Sequence, residues 1–173
     1  MLKAILAILA AVGLDQAVKY WAVTVLKPIR SIPVIEGVFH LTYAENPGMA
    51  FSLLEGQRWF FVVLTLLVLA GFVWVLKKDL VTDKIQRWCM ILVMGGAIGN
   101  FIDRIFNDGK VIDMFYIKLI DFPIFNVADL FVTMPGALFC LLLVKEILEE
   151  EKAKKAQKAA GEEQNDDQDS GQL

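Results

Sequence analysis

The chain has 173 residues, about the length of one domain, and 57% of them are apolar. An average soluble domain is about 45–50% apolar, and here the excess lies in a few long runs, which excludes a largely disordered chain and argues against an ordinary soluble domain. The net charge of −3 comes from the C-terminal end, because residues 1–144 carry 12 basic and 11 acidic residues while residues 145–173 carry 5 and 9. No broad basic surface is indicated, so we expect no nucleic-acid partner.

The residues most often used in catalysis are scarce, which excludes several kinds of site. Cys89 and Cys140 both lie inside apolar runs, so the sequence contains neither a disulfide framework nor a zinc-binding spacing. His40 is the only histidine, and a Ser-His-Asp triad would need that residue. No Gly-rich phosphate-binding loop is present, and we expect no cofactor and no bound metal. Any chemistry must use carboxylates, amides, hydroxyls, Lys or Arg.

Four apolar segments predict an all-α integral membrane protein, because a helix needs about 20 apolar residues to cross a bilayer core. The predicted transmembrane helices cover about residues 2–26, 59–76, 88–103 and 127–145. The second segment is the clearest, because it is free of charge and Trp59 and Trp74 lie near its ends, as in aromatic belts.

The first segment allows two interpretations. Lys3 followed by Ala4–Leu14 is similar to the start of a cleaved secretory signal. The apolar pattern resumes after Asp15 and continues to Leu26, which favours a span that contains polar groups.

The distribution of Lys and Arg predicts the orientation of the four spans. Ten of these residues lie on the side of the two termini and six on the other side. Because cytoplasmic loops carry the excess of positive charge, we expect both termini in the cytoplasm and the segments 27–58 and 104–126 outside.

The outer segments contain strand and turn patterns. Phe39–Tyr43 and Val111–Phe115 alternate or are apolar as strands are, and Asn46-Pro47-Gly48 and Asn107-Asp108-Gly109 are turn signals. They predict a small extracytoplasmic β element. The chain is thus divided into a membrane domain, residues 1–151, and a disordered, charged cytoplasmic tail, residues 152–173.

Several polar residues lie inside or at the ends of the spans, where an ionisable side chain costs about 2.5–3.5 kcal/mol and therefore needs a reason. Asp15 and Lys19 are four residues apart on one helical face, where they either neutralise each other as a structural pair or orient a site. In the third span, Gly95, Gly96 and Gly99 form a small-residue face suited to close helix packing.

Two further polar groups lie at the ends of the third and fourth spans. Asn100, Asp103 and Arg104 end the third, where a salt bridge at a helix end is the simplest explanation. Asn126 and Asp129 begin the fourth, where Asn126 is suited to cap the helix. In the predicted orientation all these groups lie near the outer face, which indicates a site there.

Two of the carboxylates suggest a definite chemistry. Asp113 and Asp129 are 16 residues apart, and the loop between them can return to the membrane. Two adjacent carboxylates share a proton, so one acts as general base on water and the other as general acid toward a carbonyl. The residues alone leave five candidate carboxylates: Asp15, Glu45, Asp103, Asp113 and Asp129.

Five ordered motifs over residues 10–145 resemble those of the bacterial lipoprotein signal peptidase (signal peptidase II) family. They are Asp15-x-x-x-Lys19, Asn46-x-Gly48-x-Ala50-Phe51, the segment from Gly95 through Asn100 to Asp103-Arg104, Val111-x-Asp113, and Phe125-Asn126-x-Ala128-Asp129. Met114-Phe115 departs slightly from the family pattern, and the tail after about Glu146 matches no motif.

The resemblance implies a membrane aspartic peptidase of the bacterial inner membrane. Its substrates would be diacylglyceryl-modified prolipoproteins, cut before the lipidated cysteine among membrane lipids, and we expect a monomer. Asp113 and Asp129 would form the catalytic pair. The residues expected to position the substrate or support the pair are Asp15, Lys19, Asn46, Gly48, Asn100, Asp103, Arg104, Asn126 and Ala128.

Three other functions are compatible with parts of the pattern. A small ion or proton transporter would use Asp15, Lys19 and Asp129 within the membrane. A non-catalytic scaffold would use the glycine face of the third span. A serine-type membrane peptidase would need Ser31 or Ser52, and no serine-peptidase motif surrounds either.

Overall fold

The structure, a computed structural model, describes residues 2–48 and 56–170, with side chains through residue 155. Within these ranges the chain forms four long helices and one three-stranded sheet. The long helices are α1 (Leu2–Trp21), α2 (Arg58–Lys77), α3 (Lys84–Phe106) and α4 (Val127–Ser170). The expected mostly helical class with a small β element is therefore confirmed.

In the described part of the chain, three helices are long and apolar enough to cross a membrane: α2, α3 and the Val127–Lys155 portion of α4. The first helix, α1, is not among them, and it carries Asp15, Gln16 and Lys19 in its second half. The predicted count of four spans therefore stays a prediction.

The glycine face of α3 determines how closely the neighbouring helices approach. A Cβ atom on Gly95 would lie 2.8 Å from the Cβ of Ala11 in α1, and one on Gly96 would collide with the carbonyl oxygen of Ala128 in α4. The predicted packing role of this face is confirmed. Its consequence is that α1 and α4 both contact α3 at backbone distance, on two sides of the same helix.

The sheet contains β1 (Ser31–Ile35), β2 (Phe39–Asn46) and β3 (Val111–Ile117), in that order and antiparallel throughout. Strands β2 and β3 contain the two predicted strands, whereas β1 was not predicted. Beyond α1 the chain continues as a π-helical segment, Ala22–Leu26, and a short helix, Lys27–Ile29.

A small apolar core joins the sheet to the end of α1. Ala22, Leu26 and Met114 are fully buried there, and Met114 belongs to β3. This packing fixes β3 beside the end of α1 that carries Lys19.

Two helix ends differ from the sequence analysis. Helix α3 begins at Lys84 rather than near residue 88, because the Asp83 carboxylate accepts a hydrogen bond from the Gln86 amide at 2.8 Å and caps a polar first turn. Helix α4 extends to Ser170, into the segment expected to be disordered from Lys152 onward. That expected disorder stays a prediction.

Candidate active site

The backbone after β3 brings Asn126 next to Asp113. Phe125 pairs with Phe115 as an isolated antiparallel bridge, with N–H···O distances of 2.8 and 3.0 Å between the two residues. The chain therefore returns alongside β3 immediately before α4 begins at Val127. As a result, residues 16 apart in sequence, Asp113 and Asp129, lie at the two ends of one short connection.

Asp113 is held by two side-chain amides. Its Oδ1 accepts a hydrogen bond from Asn126 Nδ2 at 2.6 Å, and its Oδ2 accepts one from Asn46 Nδ2 at 3.2 Å. The side chain is only 2% exposed. Strand pairing positions the carboxylate. Asp113 of β3 pairs with Ala44 of β2, and Ala44 is two residues before Asn46 in the same strand.

Asp129 is held by the first turn of its own helix and by α3. Its Oδ2 accepts from the Asn126 backbone amide at 3.1 Å, while the Asn126 side chain accepts from the Asp129 amide at 2.9 Å. This reciprocal pair is a capping box, with Asn126 as the cap. The other carboxylate oxygen of Asp129, Oδ1, accepts a hydrogen bond from Asn100 Nδ2 at 2.7 Å. The expected N-cap role of Asn126 is confirmed, and the same residue also contacts Asp113.

Asn100 and Asn126 link the two aspartates to each other and to α1. Asn100 Oδ1 accepts from Asn126 Nδ2 at 3.1 Å and from Lys19 Nζ at 2.9 Å. With its oxygen occupied by these donors, Asn100 presents its amide nitrogen to Asp129. Lys19 therefore fixes the direction of the Asn100 amide without contacting either Asp113 or Asp129.

Lys19 is the centre of a buried ion cluster. Its ammonium lies 2.9 Å from Asp15 Oδ2 and 3.0 Å from Asp103 Oδ2, and the exposed fraction of the Lys19 side chain is 2%. Asp15 also accepts from the Ala128 amide at 2.8 Å, and Asp103 accepts from the Ile112 amide at 3.0 Å. The cluster thus joins α1, α3, α4 and β3 at one point.

Gln16 is a member of this cluster that the sequence analysis did not include in the site. Its Nε2 lies 3.1–3.2 Å from Asp15 Oδ2, the Gly99 carbonyl oxygen and Asp103 Oδ1. The sequence could have indicated Gln16 by its position, because burying a polar amide beside Asp15 in an apolar helix is costly unless the amide has hydrogen-bond partners.

Arg104 closes the opposite side of the site. Its Nη2 donates to the Gly48 carbonyl at 3.3 Å, its Nη1 to the Asn100 carbonyl at 3.4 Å, and its guanidinium lies 4.8 Å from the Phe61 ring centroid. The Gly48 amide donates to Asn46 Oδ1 at 2.9 Å, which confirms the predicted turn. The rest of that motif, Ala50-Phe51, lies outside the described residues.

A cavity of about 340 Å³ opens onto both aspartates. Its polar lining comes from Asn46, Asn100, Arg104 and Thr133 besides Asp113 and Asp129, and its apolar wall from Val111, Phe122, Pro123, Ile124, Phe125 and Val132. A few convergent polar groups in a largely apolar cavity of this size are typical of a ligand site.

The carboxylates near the sheet differ strongly in acidity. Burial and, second, the charge of Asp129 together raise the pKa of Asp113 to about 7, against the lowering effect of the Asn126 and Asn46 amides. Hydrogen bonds from Lys27, Tyr43 and Lys110 lower the pKa of Glu45 to about 2. Glu45 is therefore ionised and paired at neutral pH, whereas Asp113 retains its proton to a much higher pH.

The structure brings together all eleven residues predicted for the site, because hydrogen bonds connect them in one network. Two residues that other site types would need lie elsewhere. His40 lies in β2 between Pro33 and Tyr116, and Ser31 shares a hydrogen bond with Thr42 on the exposed sheet. In residues 2–48 and 56–155, no three His, Cys, Asp or Glu side chains are grouped as metal ligands would be.

Comparison with known proteins gives this site its family. The family model described as signal peptidase (SPase) II matches residues 7–145. The chain belongs to the signal peptidase II family. It is accordingly a membrane peptidase, and the resemblance of its five motifs is confirmed.

Three bacterial relatives of the family cover most of the chain, and each carries the name lipoprotein signal peptidase. The protein of Streptococcus thermophilus is 46% identical over 140 residues, which are 81% of this chain and 91% of the relative. That of Halalkalibacterium halodurans is 41% identical over 153 residues, covering 87% and 96% of the two chains. That of Streptococcus pyogenes is 39% identical over 142 residues, covering 82% and 93%.

Two solved structures of bacterial membrane enzymes have the same fold as this member of the signal peptidase II family. One, determined by the in meso method at 2.3 Å resolution, superimposes with a TM-score of 0.78 at 33% identity over 85% of this chain and 90% of the other. The second, at 1.9 Å resolution, gives 0.74 at 33% identity over 84% and 94%.

Proposed function

We propose that the protein is an aspartic endopeptidase that removes the signal peptide from diacylglyceryl-modified prolipoproteins. It hydrolyses the peptide bond before the lipidated cysteine, with Asp113 and Asp129 as the catalytic pair and an activated water as the nucleophile. The observation that carries the proposal is that both carboxylates line one cavity and are held there by amides alone.

The two aspartates have different roles in this proposal. Asp113 is the more buried, and its pKa of about 7 makes it the member that holds the shared proton. Asp129 is less buried, and hydrogen bonds from Asn100 and from the Asn126 backbone amide hold its carboxylate at the cavity. In the proposed active form the two carboxyl groups carry one proton between them, because two adjacent carboxylates share a proton.

The reaction then balances with groups of this chain and water. Asp129 takes a proton from the water as the water oxygen bonds to the scissile carbonyl carbon. Asp113 gives its proton to the carbonyl oxygen, so the tetrahedral intermediate forms without a free oxyanion. Collapse of the intermediate breaks the C–N bond: the proton on Asp129 goes to the leaving amine, and Asp113 takes a hydroxyl proton back as the new carboxylic acid forms, which restores both aspartates.

The neighbouring polar residues position the reacting groups. Asn126 contacts both aspartates and so fixes their separation. Asn46, Gly48 and Arg104 surround the cavity and are available to align the substrate backbone. Asp15, Lys19 and Asp103 act at a distance, by fixing Asn100 and the start of α4, to which Ala128 belongs.

The placement of the site suits a lipidated substrate. The cavity lies where the end of α3 and the start of α4 meet the sheet, and one of its walls is apolar. A cysteine that carries acyl chains would keep its scissile bond at the membrane surface. We therefore propose four spans in the bacterial cytoplasmic membrane, with both termini in the cytoplasm and the cavity at the outer face.

The test is cleavage of a diacylglyceryl-modified prolipoprotein by the purified protein in detergent, with the product termini read by mass spectrometry. We expect wild type to cut before the lipidated cysteine and to cut the unlipidated precursor far more slowly. Asp113→Asn and Asp129→Asn keep the shape of the side chain but cannot transfer the proton, so each should lower turnover about 10³-fold or more.

The matched control is Asp108→Asn, because Asp108 is exposed in a turn at φ 48°, a conformation that Asn also accepts. This variant should cleave at the wild-type rate, and unchanged thermal unfolding should show that the catalytic variants are folded. Turnover retained by either folded catalytic variant would rule out the aspartic mechanism.

A further inference from the structure

A second cavity lies at the other end of the helices, away from the aspartates. It has a volume of about 480 Å³ and is bounded by the start of α1, the end of α2 and the first half of α3. Its apolar lining consists of Ala4, Ile5, Ile8, Val73, Leu76, Ile91 and Met94. We call it the α1–α2 cleft, because these two helices form its walls and α3 forms its floor.

The cleft exists because α2 is packed tightly only at its beginning. The buried residues of α2 are Phe61 and Val62, close to the catalytic cavity. Toward its other end the side chains are exposed or half-buried, and Val73, in the wall of the cleft, is 39% exposed. On the floor, Ile91 and Met94 are each 8% exposed. An apolar wedge thus lies between helices that the proposed topology places in the bilayer.

The rim of the cleft is basic on balance. Lys77 ends α2 and is exposed, and Arg87, at the start of α3, lines the same cavity. Asp79 occupies one nitrogen of Arg87, at 2.6 Å, and remains 75% exposed itself. The connection 77–87 carries four basic and two acidic residues.

We propose that the α1–α2 cleft binds one anionic phospholipid, with its acyl chains against α1 and α2 and its phosphate at Lys77 and Arg87. A basic rim over an apolar cavity between membrane helices has the chemistry of a lipid headgroup site. A soluble anion would satisfy the rim but leave the apolar walls unfilled, and a zwitterionic lipid would fill the walls with weaker attraction at the rim. The site does not involve the aspartates, so it does not depend on the proposed reaction.

The test is native mass spectrometry of the full chain in detergent, with phosphatidylglycerol and phosphatidylcholine of identical acyl chains added separately. We expect one phosphatidylglycerol to be retained per chain and phosphatidylcholine to bind at least five-fold more weakly. Lys77→Gln should weaken phosphatidylglycerol about five-fold, since one basic residue near a lipid surface contributes about that factor. Lys118→Gln, an exposed charge near the sheet, is the matched control and should bind as wild type does.

Two variants fill the cleft from opposite walls, so that one remains informative if the other does not fold. Ile8→Trp and Val73→Trp should each abolish the retained lipid, whereas Leu67→Trp should leave it bound, because Leu67 is 65% exposed and does not line the cleft. Equal affinity for the two lipids, or full binding by a folded Trp variant, would overturn the proposal.

Discussion

Two groups of carboxylates lie side by side in this protein and differ in what neutralises them. Asp15 and Asp103 share the ammonium of Lys19 at 2.9 and 3.0 Å. Asp113 and Asp129 receive amide hydrogen bonds, and among the described residues no Lys, Arg or His nitrogen forms an ion pair with either. The first two carboxylates thus have a cation at salt-bridge distance, whereas the second two have only amide partners and line the cavity. The comparison therefore separates the carboxylates that build the site from those suited to chemistry.

The first way to break this difference is to remove the shared cation. Lys19→Met leaves Asp15 and Asp103 buried without a counter-charge and should destabilise the fold by about 3–5 kcal/mol. The measurement is thermal or denaturant unfolding in detergent. Lys27→Met, which removes an exposed pair with Glu45, is the control and should leave the unfolding midpoint nearly unchanged.

A second change should restore part of this loss. In Lys19→Met/Asp15→Asn, the amide oxygen of residue 15 can still accept from Ala128 and one unpaired charge is gone. A Lys19→Met protein with wild-type stability and no activity would instead place Lys19 in the chemistry itself.

The next change acts on the link between the two groups. Asn100→Ala removes the donor to Asp129 and the acceptor for Lys19, so the Asp129 carboxylate loses its orientation. We expect kcat to fall about 10²-fold, because small misplacement of a reacting group costs about that much. Asn107→Ala, at the end of α3 in an exposed turn, should keep full activity. An unchanged kcat in Asn100→Ala would mean that Asp129 is held well enough by the capping box alone.

The proton on Asp113 gives a smaller effect with a definite sign. A carboxyl whose folded pKa is about 7 binds more protons folded than unfolded, so it costs stability increasingly as pH rises from about 4 to 7. Asp113→Asn removes that cost, so it should stabilise the protein relative to wild type more at pH 8 than at pH 5. We expect the two stabilisations, measured as unfolding free energies, to differ by about 1 kcal/mol or more. Asp108→Asn should show no such change with pH. A stabilisation equal at both pH values would show that Asp113 does not titrate in this range.

The smallest effect is expected from the tail. Removal of residues 152–173 leaves every contact of the two carboxylate groups in place, so activity should stay within about two-fold of wild type. A large loss in the cleavage assay would show that the tail acts on the enzyme rather than only in solution.

Much of the fold follows from local pattern. The apolar runs locate the four long helices, three of which are long and apolar enough to cross a membrane. The sequence does not predict strand β1, because Pro33 lies within it and its apolar and polar residues do not alternate. Both features are tolerated in an exposed strand at the edge of a sheet. The sequence predicts the start of α3 about four residues too late, near residue 88 instead of Lys84. The first turn is polar and depends on the Asp83 cap, so the apolar run does not include it.

The residues of the site could be predicted from the sequence, but the hydrogen bonds between them could not. The five motifs identify Asp113, Asp129 and Asn126 as neighbours in function, yet no spacing indicates that Asn100 lies between Asp129 and Lys19. The hydrogen bond between Lys19 and Asn100 joins residues 81 positions apart, and it depends on how closely α1 packs against the glycine face of α3. Gln16 was missed for the same reason, since its three partners come together only after the helices pack.

The polar face of α1 also constrains the order in which the protein can be assembled. During synthesis α1 emerges before α3 and α4, and the groups that Lys19 and Asp15 finally meet lie 81 and 113 residues further along the chain. In the proposed four-span topology, their i,i+4 pairing, at 2.9 Å within one helix, is the contact that would mask the two charges from lipid until then. The same salt bridge would thus first shield the charges of the newly inserted helix. Later, once α3 and α4 arrive, it becomes the anchor to which they attach.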